Sequence, residues 1–169
     1  MKIDLNSFER ELKIEATLEP EEIDLGVENA RLDHAILFKG AVRKDADAVV
    51  LSGTLAGRVN IDCDRCLASR TVPIEITADR EFVADERMSE KAENELGPDD
   101  LNMDLLSGDE LDLAEIAREE ILLALPQQFF CKEECKGLCE KCGADLNLKD
   151  CKCSNEEIDP RWAALKNLN

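Results

Sequence analysis

The sequence predicts an α+β fold: a curled antiparallel β-sheet or partial barrel packed by a helix, then a small cysteine-rich module and a short C-terminal helix. Three observations carry this expectation. Apolar residues alternate through 49–61 and again through 72–82, and an apolar stripe of helical spacing runs from Leu113 to Leu125. Six of the eight cysteines crowd into 131–153, a stretch otherwise made mostly of Lys, Glu, Gly and Asp.

The elements follow in order. Leu12–Leu18 and Ala35–Val42 read as strands, the second joined to Val49 by the polar turn Arg43–Ala48. Val49, Leu51, Leu55, Val59 and Ile61 fall on odd positions, with Gly53 and Gly57 among them. Val72, Ile74, Ile76 and Phe82 fall on even positions. Alternation of this length marks a half-buried strand pair, and glycines on the inward face mark bending or close approach by another element. Residues 1–83 are therefore expected to form an antiparallel β domain. The segment 84–110 is rich in Glu, Asp, Ser, Gly and Pro, and reads as a flexible acidic loop. A helix over 111–126 opens on Asp112 with Glu115 three residues later, a capping-box pattern, and stops at Pro126. Leu113, Ile116, Ala117, Ile121, Ala124 and Leu125 form its apolar face, which suits packing on the sheet. In the final module, 131–169, Asp159 and Pro160 provide an N-cap and first-turn pair for a helix through Leu168, with Trp162, Leu165 and Leu168 on one side.

Composition bounds the function. The 169 residues carry a net charge of −18, which disfavours a basic groove that tracks a nucleic-acid backbone. The charge is uneven: from Asp85 to Glu120 there are 14 acids against 3 bases. The apolar fraction of 44% supports a core, and the absence of Tyr makes that core aliphatic. The opening MKIDLNSFER lacks the apolar stretch of a secretory leader, and no apolar run approaches the roughly 20 residues that span a bilayer. A cytoplasmic, reducing location is expected, where clustered cysteines are more often metal ligands than disulfides.

The cysteines carry the chemistry. Cys139-x2-Cys142-Gly143 has the form of a metal knuckle, in which backbone amides face the sulfurs and the glycine supplies a positive φ. Cys151-x-Cys153 can complete a tetrad with it. Cys131 and Cys135 then remain, together with Cys63 and Cys66, which sit where the two best strands meet. Four remaining sulfurs in two pairs suggest a second site that staples the sheet to the tail, for one or two zinc ions in all. Two other groupings stay open: Cys135 in place of a tetrad member, or a metal-free Cys63/Cys66 pair. Because strands flank Cys63 and Cys66 on both sides, a thioredoxin-like redox role, which needs a following helix, is disfavoured. Catalysis has little support. His34 is the sole histidine, and neither a Ser-His-Asp set nor a phosphate-binding glycine loop is present.

Several segments together resemble the YceD family, named for large ribosomal RNA subunit accumulation. They are Cys63-Asp64-Arg65-Cys66-Leu67, the helix ending Glu119-Glu120-Ile121-Leu122-Leu123-Ala124-Leu125-Pro126, Cys135-Lys136-Gly137-Leu138-Cys139, Cys142-Gly143, Asp145-Leu146-Asn147 and Asp159-Pro160-Arg161-Trp162. The resemblance implies a bacterial or organellar factor needed for normal accumulation of 23S ribosomal RNA, with no known enzymatic activity. Some family members lack the cysteine-rich tail, which implies that metal there is a stability device. Two modes of action are then open. Residues 85–120 can attract a basic ribosomal protein or assembly factor, or the tail can contact ribosomal RNA through Lys132, Lys136 and Lys141, or through Arg65 and Arg70 on the sheet.

Overall fold

A computed structural model describes residues 1–46, 48–84, 103–106 and 108–153. Within them run β1 (Lys2–Asp4), β2 (Glu11–Leu18), β3 (Ala30–Arg31), β4 (Ile36–Lys44), β5 (Ala48–Asp62), β6 (Ser69–Ala84), β7 (Met103–Leu106), β8 (Glu110–Asp112) and helix α1 (Leu113–Ala124). The main sheet has the order β2-β4-β5-β6-β7, with β3 paired to β5. It is mostly antiparallel, but β6 and β7 pair in parallel. The sheet is open, with β2 and β7 at opposite ends of its strand order, so it does not close into a barrel.

The alternation read in the sequence is the alternation of burial. Leu51 and Val59 are fully buried, Val49, Leu55 and Ile61 nearly so, and Phe82 faces the same core. The β5–β6 hairpin pairs continuously from Ala48↔Val83 to Asp62↔Ser69, which carries the chain out to a tip at 63–68. Gly53 sits opposite Gly40 on β4, and a Cβ at Gly53 would lie 2.7 Å from Phe38 Cζ. The inward glycine therefore makes room for the fully buried Phe38 ring of its neighbouring strand.

Helix α1 begins where Asp112 Oδ1 accepts a hydrogen bond from the Ala114 N–H at 3.0 Å. It ends at Leu125, which is extended as the residue before a proline prefers. Leu113, Ala114, Ile116, Ala117 and Ile121 are buried against the sheet core. Ala124, expected on the same stripe, is exposed, because the last turn projects beyond that core. Two further departures fall in the stretch read as a loop and at the start expected for the helix. Met103–Leu106 pairs with the end of β6, and Glu110–Asp112 pairs with β1 to bring Ile3 and Leu111 into the core. Residues 85–102 and Ser107 of that stretch lie outside the described residues, as do 154–169 with the expected C-terminal helix.

Candidate metal centres

The tip of the β5–β6 hairpin is a knuckle. Cys63 N–H donates to Ala68 O at 3.1 Å and Leu67 N–H donates to Cys63 O at 2.8 Å. The tail repeats the motif: Cys139 N–H donates to Ala144 O at 2.8 Å and Gly143 N–H to Cys139 O at 2.8 Å. In each, the residue after the second cysteine has a positive φ, 67° at Gly143 and 57° at Leu67. Glycine takes that conformation freely, whereas a side chain crowds the backbone at a cost of about 1–2 kcal/mol. Leu67 is 66% exposed, so packing does not offset this strain. Leu67→Gly is therefore expected to raise the melting temperature by about 2–3 °C, less than the full strain because glycine frees the unfolded chain. A lower melting temperature in a thermal scan would show that Leu67 makes a compensating contact.

The tail is held to the hairpin tip by backbone bonds that its spacing alone does not reveal. Asp64 N–H donates to Phe129 O at 2.9 Å, while Phe129 N–H donates to Asp64 Oδ2 at 2.7 Å. Leu138 N–H donates to Arg65 O at 3.0 Å. The adjacent Gly137 has φ 75°, and a Cβ there would lie 2.9 Å from the same Arg65 oxygen, so only glycine fits. Arg65 also donates from Nη1 to Cys135 O at 3.0 Å, and its guanidinium lies 4.2 Å from the centre of the Phe130 ring.

These contacts bring Cys63, Cys66, Cys131 and Cys135 together, with every sulfur within 4.8 Å of the others. Cys63 and Cys135 Sγ are 3.8 Å apart, and Cys66 and Cys131 Sγ 3.6 Å. A tetrahedral ion with metal–sulfur bonds near 2.3 Å has sulfur–sulfur edges of about 3.8 Å, so the set fits one ion. Cys139, Cys142, Cys151 and Cys153 form a second set within the same 4.8 Å limit. Cys135 therefore stands with the hairpin cysteines and not in the local tetrad. The first set is largely buried, whereas Cys142 and Cys153 of the second are exposed.

Electrostatics within each set are those of crowded thiols. Burial opposes the Cys63 thiolate, but the N–H groups of Cys131, Cys66 and Arg65 outweigh it and lower the thiol to about 6. The Ala68 N–H favours a Cys66 thiolate, yet burial and the neighbouring sulfurs push it up to about 12. In the tail, the Cys142 N–H, the Cys151 side chain and the Lys141 N–H lower Cys139 to about 6. The side chains of Cys142 and Cys139, together with burial, push Cys153 up to about 12. Burial opposes the Cys135 thiolate as well, but the Gly137 N–H and the Asn147 side chain outweigh it and lower that thiol too, so Cys63 and Cys135 in the first set and Cys139 in the second are prepared for ionisation. A divalent cation removes the repulsion that pushes Cys66, Cys131, Cys151 and Cys153 up.

The sequence reading assigned no role to Asn147 or Asp64. Asn147 Nδ2 reaches Cys135 Sγ at 3.4 Å while its Oδ1 accepts from the Lys136 N–H at 3.0 Å. Such contacts orient a ligand sulfur and disperse its charge. Asn147 and Asp64 both fall in segments that resemble the family, but their contacts are not legible there, since the sulfur that Asn147 meets lies twelve residues away across a turn. Lys132, Lys136 and Lys141 are exposed, as is His34, and Arg65 is committed to the tail contacts above.

Comparison with known proteins follows the same residues. The chain is 28% identical over 134 residues to the uncharacterized protein YlbN of Bacillus subtilis, covering 79% of this chain and 73% of that protein. It is 26% identical over 145 residues to the uncharacterized protein Rv2926c of Mycobacterium tuberculosis, covering 83% of this chain and 66% of that one. A shorter match, 39% over 59 residues, covers 35% of this chain and 18% of a chloroplastic large ribosomal RNA subunit accumulation protein YCED homolog of Arabidopsis thaliana. No solved structure matches. The family model for the large ribosomal RNA subunit accumulation protein YceD matches residues 51–169, a span that takes in the hairpin knuckle, helix α1 and the whole cysteine-rich tail, and the chain therefore belongs to the YceD family.

Proposed function

We propose that the chain is a non-enzymatic ribosome-biogenesis factor that supports 23S ribosomal RNA, acting in the cytoplasm as an acidic, zinc-binding adaptor for a ribosomal protein or assembly factor. One observation carries the adaptor reading. The set Cys63, Cys66, Cys131 and Cys135 draws two sulfurs from the sheet and two from the tail, so that an ion bound there fixes one against the other. Four soft thiolates in a closed tetrahedron suit zinc and leave no position for a substrate or water, which is the ligand set of a structural ion. The family's name supports the ribosomal context, and the charge of −18 favours a basic protein over RNA as the direct partner. Among the described residues, no helix is long and apolar enough to cross a membrane.

Purification of the tagged chain from its own cells, with and without ribonuclease, tests this reading. A ribosomal protein or assembly factor is expected to remain bound after ribonuclease treatment. Loss of every partner on treatment would overturn the adaptor in favour of direct RNA contact. Lys132→Gln, Lys136→Gln and Lys141→Gln would then be expected to lower both RNA affinity and its salt slope.

A further inference from the structure

Helix α1 and strand β7 flank a groove whose walls combine two features that seldom coincide on a solvated surface. The groove, about 620 Å³ in volume, is lined by Asp79, Arg80, Asp104, Glu119, Glu120 and the leucines 122 and 123. Leu123 is 78% exposed, and on the neighbouring strand Leu105 is 51% exposed. A second hollow of about 460 Å³ shares Arg80, Asp104 and Glu119 and carries the trough on past Leu105 to Glu115 and Glu110. Its two cations are already engaged. Arg80 is held by Asp104, Glu119 and Glu120, and Lys2 by Glu110. Asp79 and Glu115 have no such cation among the described ion pairs, and the trough as a whole keeps an excess of negative charge.

We propose that this trough is a docking surface for a lysine- or arginine-rich protein segment carrying spaced apolar side chains, with Leu105 and Leu123 as its apolar contacts. The proposal rests on the adaptor reading and gives its partner a chemistry and an address. Charge complementarity selects the occupant. Phosphates are repelled by the carboxylates, which disfavours RNA here. Residues 85–102 of the same chain, with seven acids against two bases, do not carry the charge that this surface calls for. A segment that is only basic would neutralise the carboxylates and leave the leucines in water. A segment that is only apolar would bury the carboxylates unpaired. Only one that is both satisfies the two walls, with the charges setting encounter and the leucines setting residence.

The test uses the full chain and two fluorescent peptides of identical Lys/Leu composition. One has leucines at i, i+3 and i+4 spacing, and the other is a scrambled isomer without an apolar face. Anisotropy titrations at about 0.15 M salt, where exposed charges are screened beyond about 8 Å, isolate the contribution of the apolar face. The amphipathic peptide is expected to bind about tenfold tighter than its isomer, a modest share of what burying two leucines supplies. In Leu105→Ser/Leu123→Ser, two exposed positions whose replacement spares the core, the preference is expected to fall below about twofold, with weak salt-sensitive binding of both peptides retained. Asp79→Asn/Glu115→Gln is expected to weaken both peptides alike. Equal affinity of the two peptides for the unaltered chain, or a preference that survives the double serine replacement, would overturn the docking surface. These outcomes separate from those of the ribonuclease experiment. A protein retained there, with no peptide preference here, leaves the adaptor standing and moves its interface elsewhere. A peptide preference here, with all cellular partners lost to ribonuclease, overturns the adaptor and leaves the groove.

Discussion

Replacing Cys63 and Cys66 together by serine is expected to lower the zinc content from two ions per chain to one and to release the tail from the sheet. The released part is the segment 127–138, because its own means of staying folded are few. Among the described residues, only Ala68, Phe130 and Leu138 add apolar packing around the hairpin sulfurs beyond the cysteines themselves. Structural zinc in small modules contributes an apparent 10–16 kcal/mol, far more than burial of so few side chains supplies. The sheet is expected to survive, since its core of Phe38, Leu51, Leu55, Val59 and Ile121 is a separate cluster. Metal analysis and amide hydrogen exchange read the two halves of this expectation independently. Exchange should accelerate at Cys135 and Leu138, whose N–H groups are bonded in the native tail, and stay slow through β5 and β6. The matching pair Cys139→Ser/Cys142→Ser should also leave one ion, but should free 139–153 while keeping the Asp64–Phe129 bonds. Two ions retained in either variant, or a tail that stays protected without the hairpin sulfurs, would show that the grouping into two tetrads is wrong.

How far the sequence reveals this arrangement depends on the range of each interaction. Alternation at Val49–Ile61 and Val72–Phe82 is set by neighbours two residues apart, so it reads directly as a strand pair. The tail tetrad is equally local, because all four sulfurs fall within fifteen residues. The hairpin set is reached only by elimination, as the pairs left after the local tetrad is formed. What brings them together is the bond network of Asp64, Arg65, Phe129 and Gly137, which joins positions more than sixty residues apart. The short strands were hidden for a related reason. β7 has four residues and β8 three, too few to show a period; β7 lies in a stretch whose acidity reads as loop, and β8 spans the end of that stretch and the start expected for the helix. The inward glycines read as bending or close approach; at Gly53 it is close approach, of the Phe38 ring, and the expected curling toward a barrel does not follow, since the sheet stays open. Arg80 was invisible altogether. On β6 it is an unremarkable polar position between Asp79 and Glu81, and only the packing of α1 and β7 gives it three partners.

That arginine carries the second large expected effect. Its Nε donates to Asp104 at 2.5 Å, Nη2 to Glu119 at 2.9 Å and Nη1 to Glu120 at 3.0 Å, so one guanidinium joins β6 to β7 and to α1. The Arg80 and Glu120 side chains are only 19% and 13% exposed, and the pairing is correspondingly less screened than a surface ion pair. Arg80→Ala is expected to destabilise the fold by about 2 kcal/mol, or about 4–8 °C in melting temperature, below the value for a fully buried pair because Asp104 and Glu119 retain some water. Most of this loss is repulsion among three carboxylates left without a cation. Two consequences separate it from simple loss of packing. Added salt should narrow the gap between Arg80→Ala and the unaltered chain, and Glu120→Gln, mildly harmful alone, should restore part of the stability in the Arg80→Ala background. Arg80→Lys should recover only a fraction, since an ammonium cannot present the fork that three carboxylates on three elements require. If the loss is insensitive to both salt and Glu120→Gln, Arg80 stabilises through its methylene packing, and the charge network is incidental to the fold.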